Sequence, residues 1–116
     1  MTLKKYFFDD EIKVASLIIE DFHGKMLLDP SIKNPSAVVL STYMACNESK
    51  DPMIEKTRVK ELFISLGRKP EEFDKALYEI SGKRKGKERL IDLDNEKMGL
   101  NFNGLKKARG ILKENE

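Results

Sequence analysis

The sequence predicts a mainly α domain with a small β-hairpin, and three observations lead to that prediction. Two consecutive segments repeat apolar residues at i, i+3, i+4 and i+7, the spacing that places them on one face of a helix. Two short runs of alternating apolar residues follow, separated by a polar turn, as in a hairpin. The chain has 116 residues, enough to form one core without metals or disulfides, so we expect a single domain over residues 1–116.

The two helical segments lie between residues 57 and 82 and are separated by a tight turn. Gly67 ends the first helix, because glycine adopts the left-handed conformation after a helix without steric cost. Pro70 begins the second helix, where its missing N–H is no loss. The apolar stripe of the first helix is Val59, Leu62, Phe63 and Leu66, and that of the second is Phe73, Ala76, Leu77 and Ile80.

The hairpin is predicted over residues 89–102, and a C-terminal helix over residues 103–113. A helix from Pro35 to about Asn47 precedes the central segment, with proline at its first position. We also expect a one- or two-residue strand at Met53 and Ile54 that adds to the hairpin edge. The compact core is expected to contain Val59, Leu62, Phe63, Leu66, Phe73, Leu77, Ile80, Leu93, Leu100 and Phe102.

Helix, turn, helix, hairpin and closing helix, in that order, resemble the winged helix-turn-helix superfamily, whose members include MarR- and PadR-type regulators. The resemblance covers about residues 35–112 and rests on the order of elements and the apolar spacing. It implies a winged helix-turn-helix domain, here with an additional N-terminal helix and a C-terminal helix. It also implies a transcriptional regulator that binds double-stranded DNA as a homodimer.

The additional N-terminal helix is predicted over residues 8–28. Its apolar residues step by 4, 3, 4, 3 and 4, which is heptad spacing. Such a wide apolar stripe either packs against the core of its own chain or forms a dimer interface, to which the closing helix would contribute. On the second alternative the interface consists of Phe8, Ile12, Ala15, Ile19, Phe22 and Met26.

Composition argues against several classes of protein. The chain has 22 basic and 20 acidic residues, so only a local patch can predict a charged partner. The one cysteine, Cys46, fits a reducing cytoplasm. Acidic residues near the N-terminus come before any signal-peptide core develops, and the apolar runs are shorter than the ~20 residues that span a bilayer. We expect a cytoplasmic protein with no membrane partner.

Residue types that carry metal or acid–base chemistry are scarce. His23 is the sole histidine and cannot form a zinc site with one distant cysteine. No pairing of a nucleophile with a histidine is visible, and the glycines lack the spacing of a phosphate-binding loop. We therefore expect a protein that is not an enzyme and that binds no metal or cofactor.

The sharpest electrostatic feature is the basic loop, residues 83–89, which has five bases and one acid. It suits a phosphate backbone, where each neutralised phosphate releases counterions. The second helix, by contrast, has four acids and one base. The predicted nucleic-acid contacts are Lys83, Arg84, Lys85, Lys87 and Arg89 in the loop, Arg68 and Lys69 at the turn, and Lys75 and Tyr78 on the second helix.

Two functions therefore remain open at the level of the sequence. The first is the DNA-binding regulator of winged-helix type. The second is a winged-helix protein–protein interaction module, in which the acidic second helix binds a basic partner and no nucleic acid is bound. In the second case the basic loop is a flexible, solubilising connector. The salt dependence of binding to duplex DNA separates them.

Overall fold

The computed structural model describes residues 18–20 and 26–114. Within these residues the helices are α1 (Asn34–Ser49), α2 (Lys56–Ser65), α3 (Pro70–Ile80) and α4 (Phe102–Glu114). The strands are β1 (Ile18–Glu20), β2 (Met26–Leu28), β3 (Ile54–Glu55), β4 (Ile91–Asp94) and β5 (Lys97–Leu100). The prediction of a mainly α chain with a small antiparallel sheet is confirmed.

The predicted helix over residues 8–28 is wrong where the structure describes this segment. β1 and β2 form an antiparallel pair, with Ile18 opposite Leu28. The backbone N–H of Leu28 donates to the carbonyl oxygen of Leu66 at 2.9 Å, whereas inside a helix it would bond four residues back. Short apolar runs suit helix and strand equally by periodicity, and here pairing with distant backbone decides. Of the predicted interface, Ile19 and Met26 lie in these strands, and Phe8, Ile12, Ala15 and Phe22 lie outside the described residues.

Helix α1 is the centre of the core, with nine consecutive buried residues from Ala37 to Ala45. It has no polar stripe there because α2, α3, α4 and β5 pack around it. Two of the buried residues are polar. The hydroxyl of Thr42 donates a hydrogen bond to the carbonyl oxygen of Val38 at 2.7 Å. Ser41 Oγ has no hydrogen-bond partner among the described residues.

Helices α2 and α3 form the predicted pair around a tight turn. Val59 and Phe63 of α2 are fully buried, and the ring of Phe63 meets that of Phe73 edge to face, with centroids 5.5 Å apart. Gly67 has a φ of +93° and follows the end of α2, as predicted. A Cβ there would lie 2.4 Å from Leu27 Cδ2, so β2 packs closely over this turn.

The second sheet has the strand order β3-β5-β4, and every pair is antiparallel. Met98 of the central strand β5 lies between Ile54 and Leu93. The expected short strand at the hairpin edge is present at Ile54–Glu55, one residue later than the expected Met53 and Ile54. Asn95, with a φ of 57°, makes the turn of the hairpin between β4 and β5.

Leu93 and Phe102 were predicted to lie in the core, and this prediction is wrong because both are exposed. Leu93 is 39% exposed, because burial along β4 falls from Ile91 to Asp94 and the strand leaves the core. Phe102 is 74% exposed. The buried positions of α4 are Gly104, Ala108, Ile111 and Leu112. A residue two places before Gly104 is rotated by about 200° around the helix, away from the core.

Candidate nucleic-acid interface

The basic loop connects α3 to β4, and its two ends are held together. The backbone N–H of Leu90 donates to the carbonyl oxygen of Ile80 at 2.8 Å. Gly82 has a φ of +85°, and a Cβ there would lie 2.9 Å from Arg89 Cβ. Because the two ends of the loop lie close together, residues 83–88 project from the domain, and all six are exposed.

The five loop cations divide into two groups according to their partners. Arg84 pairs with Glu79 of α3, and Arg89 pairs with Asp92 of β4. The side chains of Lys83, Lys85 and Lys87 have no carboxylate partner within the part of the chain that the structure describes. These three lysines are therefore the loop groups best able to contact an external phosphate, since pairing partly neutralises both arginines.

Arg68 is used by the protein itself, which the sequence did not predict. Its guanidinium donates to the carbonyl oxygens of Asp29 and Ile32 and to Asn34 Oδ1, each at 2.8 Å. Burial lowers the pKa of Arg68, and the nearby charge of Asp29 acts in the opposite direction. A hydrogen bond from the Ser31 backbone N–H lowers the pKa of Asp29. Arg68 therefore joins the α2–α3 turn to residues 29–34.

The exposed face of α3 is mixed in charge and mainly acidic. Lys75 is exposed and lies 3.8 Å from Glu72, while Asp74 lies 3.8 Å from Lys60 of α2. Tyr78 is 52% exposed. Lys69 is exposed just before α3. Lys75, Tyr78 and Lys69 are thus accessible, but their surroundings repel a polyanion more than the loop does.

A groove of about 460 Å³ brings three of the predicted contacts together between residues 30–35 and α3. Arg68, Lys75 and Arg84 line this groove. A fourth cation, Lys33, and two carboxylates, Glu72 and Glu79, line it as well. Lys75 and Arg84 each lie beside one of these carboxylates, and Arg68 donates to its own chain. The groove therefore offers an anion little beyond Lys33. The hairpin turn does not extend the basic surface either, because Asp94 and Glu96 are exposed beside Lys97.

Helix α4 adds cations that the sequence interpretation did not assign to the interface. Lys107 lines one groove of about 220 Å³ with Lys87 and Lys33, and Glu79 and Glu88 line that groove as well. It lines a second groove of about 310 Å³ with Lys106 and Glu88. The signal in the sequence was the run Lys106-Lys107-Ala108-Arg109 on a predicted helix. Only the packing of α4 beside the basic loop gives that run a role in the same surface.

The described residues offer little for metal chemistry. They contain no group of three or more His, Cys, Asp or Glu side chains placed to hold a metal ion. Cys46 donates to the carbonyl oxygen of Pro52 at 3.6 Å, and burial raises the pKa of its thiol to about 11, with a smaller contribution from Asp51. None of the described helices combines the length and apolar content needed to cross a bilayer. His23 lies outside the described residues.

No family model, curated protein or solved structure matches this chain.

Proposed function

We propose that this protein is a winged helix-turn-helix DNA-binding protein that acts as a transcriptional regulator. The order α1-β3-α2-α3-β4-β5-α4 supports the winged-helix assignment, together with the sheet order β3-β5-β4. In that arrangement α2 and α3 are the helix-turn-helix, the β4–β5 hairpin is the wing, and α3 is the helix nearest to DNA.

The observation that carries the proposal is the basic loop, held out from the domain at the C-terminal end of α3. Lys83, Lys85 and Lys87 are exposed there and have no ion pair among the described residues. A surface of this kind attracts duplex DNA through its phosphates, independently of base sequence. Lys75 and Tyr78 are the α3 groups best placed to contact a base edge or a neighbouring phosphate.

A protein–protein interaction module is the second candidate, and the charge of α3 favours it. Glu71 and Asp74 are exposed on the helix that would enter the major groove. Carboxylates in that position repel phosphates, whereas a basic partner protein would be attracted to them. The two candidates therefore use different surfaces of the same domain.

Salt-dependent binding to a random duplex of about 20 base pairs tests the proposal by fluorescence anisotropy. We expect measurable affinity that falls steeply with salt. A variant with Lys85→Gln and Lys87→Gln should lower the slope of log K against log salt by about two, one for each phosphate contact. The matched control, Lys50→Gln with Lys56→Gln, loses the same charge and should lower the slope by less than one.

Two results would contradict this proposal. If the parent protein does not bind the duplex at low salt, the interaction module is the better description. If the loop variant and the matched control change the slope equally, only net charge matters and the loop is no interface. Circular dichroism of each variant confirms that the fold is intact before binding is compared.

The homodimer is part of the proposal, although its predicted interface lies mostly outside the described residues. Ile19 and Met26 occupy β1 and β2, so a contact that these two residues make between copies would involve a strand pair. One chain has a mass of 13.3 kDa. Light scattering at tens of micromolar should give twice that mass, and a single-chain mass would remove the dimer from the proposal.

A further inference from the structure

Phe102 is exposed to an extent that the fold does not explain. The ring is 74% exposed at the first position of α4. It lies beneath the ammonium group of Lys106, whose Nζ is 5.5 Å from the ring centroid. A cation over an aromatic face stabilises this position of the ring, yet most of the apolar surface remains in water. The residue contributes nothing to the core, where Gly104 and Ala108 are the inward positions.

The start of α4 is fixed rigidly against the end of the basic loop. The side-chain amide of Asn101 donates a hydrogen bond to the carbonyl oxygen of Arg89 at 2.9 Å. The backbone N–H of Asn101 donates to the carbonyl oxygen of Leu90 at 3.1 Å. Its side-chain oxygen accepts the N–H of Gly104 and so caps the helix. A Cβ on Gly104 would lie 1.9 Å from the Leu90 carbonyl oxygen, so the two backbones are in close contact. Phe102 therefore has a defined place next to the loop.

Cations continue from the loop onto α4, the helix that begins at Phe102. Lys87 and Lys107 line the same groove, and Lys106 and Lys107 line the next one. Glu88 lines both grooves, and Glu79 lines the first. Arg109 is exposed further along the helix. This surface combines one exposed aromatic ring with five exposed cations and one exposed carboxylate, that of Glu88. We name it the α4–loop surface; its cations are Lys85, Lys87, Lys106, Lys107 and Arg109.

We propose that the α4–loop surface binds single-stranded nucleic acid, with Phe102 stacking on an unpaired base and the lysines contacting phosphates. This inference rests on the proposed function and names the form of nucleic acid that this surface takes. Phosphate contacts alone need no aromatic ring. Bases inside a duplex are already stacked on their neighbours, so an exposed ring gains a partner only from an unpaired base. A charged track with an aromatic platform is the general means of binding single strands.

The absence of tryptophan from the sequence makes a direct test possible. In Phe102→Trp the introduced indole is the only tryptophan fluorophore, and it keeps a flat aromatic surface at this position. We expect its fluorescence to be quenched saturably by an oligothymidine of about 15 nucleotides, in parallel with anisotropy of the labelled strand. Binding seen by anisotropy with unchanged indole fluorescence would overturn the proposal, because the base would not be at this ring.

Affinity measurements with matched variants complete the test. Phe102→Ala should weaken binding of the labelled oligothymidine at least about fivefold, with less than a twofold effect on a duplex of the same length. Lys106→Gln with Lys107→Gln should lower the salt slope by about two phosphate contacts. Leu93→Ala is the matched control, since it removes another exposed large apolar side chain, from β4, and should leave single-strand binding unchanged.

The outcomes separate this inference from the function on which it rests. If the parent binds neither duplex nor single strand, both fail. If the parent binds duplex through the loop lysines and Phe102→Ala has no effect on either ligand, the proposed function stands and the stacking role is refuted. If Phe102→Ala instead converts a larger assembly into single chains, the ring is a contact between copies, which also refutes it.

Discussion

Replacement of Arg68 by alanine tests the most specific structural conclusion, that this residue holds the α2–α3 turn against residues 29–34. The substitution removes three hydrogen bonds, each 2.8 Å long, from one charged group. It also frees Asn34, whose side-chain amide lies 3.4 Å from a carboxylate oxygen of Glu72. The expected consequence is a loss of stability without loss of the overall fold.

The magnitude follows from the number of bonds and the degree of burial. A hydrogen bond to a charged group contributes roughly 1.5–3 kcal/mol to stability, and a buried acceptor left without a donor costs about 1–3 kcal/mol. Arg68 is only half-buried, so water can replace part of what is lost at the two carbonyl oxygens. We therefore expect a decrease of about 2–3 kcal/mol in the free energy of unfolding, well below the sum of three full bonds.

Urea unfolding followed by circular dichroism measures this change. With m-values of roughly 1–3 kcal/mol/M for small domains, the midpoint should fall by about 0.7–3 M at unchanged m. Arg68→Lys should recover only part of the loss, because an ammonium group cannot reach three acceptors in the fork geometry of a guanidinium. Lys69→Ala, the exposed neighbour, is the matched control and should change stability by less than about 0.5 kcal/mol.

DNA binding provides the second measurement. Since the donors of Arg68 face its own chain, Arg68→Ala should leave the salt slope of duplex binding unchanged under conditions where the variant is folded. If Arg68→Ala is as stable as Lys69→Ala and lowers the slope by about one, the residue is a phosphate contact. The hydrogen bonds described here would then not be its main role.

Two further predictions concern Gly104 and Cys46. Gly104→Ala should destabilise the domain by about 1–3 kcal/mol, because the added Cβ would overlap the Leu90 carbonyl oxygen, and this cost exceeds the gain from the better helix propensity of alanine. Gly110→Ala is the control, since a Cβ there meets nothing within 4 Å; equal urea midpoints for the two variants would refute the close contact. The Cys46 thiol should react with iodoacetamide near pH 8 on the order of 100-fold more slowly in the folded than in the urea-unfolded chain, because its pKa rises from 9.0 to about 11. The folded pKa is the higher one, so stability should decline as pH rises from 9 towards 11, and Cys46→Ala should remove that decline. Similar alkylation rates in both states would contradict the assigned burial.

The local signals in the sequence were reliable because each fixes a backbone conformation by itself. Gly67 does take a positive φ at the end of α2, and Pro70 begins α3. The polar turn between β4 and β5 is where the alternation of apolar residues placed it. These features depend on neighbours within a few residues, so no knowledge of distant contacts was needed.

The sequence interpretation was wrong in two situations. In the first, one apolar pattern fitted both a helix and a strand; in the second, a residue lay at the end of a helix or strand, where the chain leaves the core. The heptad spacing over residues 8–28 predicted a helix, but β1 and β2 pair with each other and β2 bonds to the end of α2. Leu93 and Phe102 fitted the strand alternation, yet both are exposed, because β4 leaves the core and α4 begins at Phe102. Periodicity describes a face and does not say what covers it.

The sequence by itself determined the order of helices and strands from residue 34 onwards and the position of the basic loop. The tertiary structure alone decided which cations are available and what surrounds them. Arg68 finds its acceptors 34 to 39 residues away, and Lys107 joins Lys87 only because Gly104 lets α4 approach Leu90. The residue type determines whether a side chain is charged. Which groups that side chain contacts depends on packing between segments far apart in the chain, and no local sequence pattern predicts this packing.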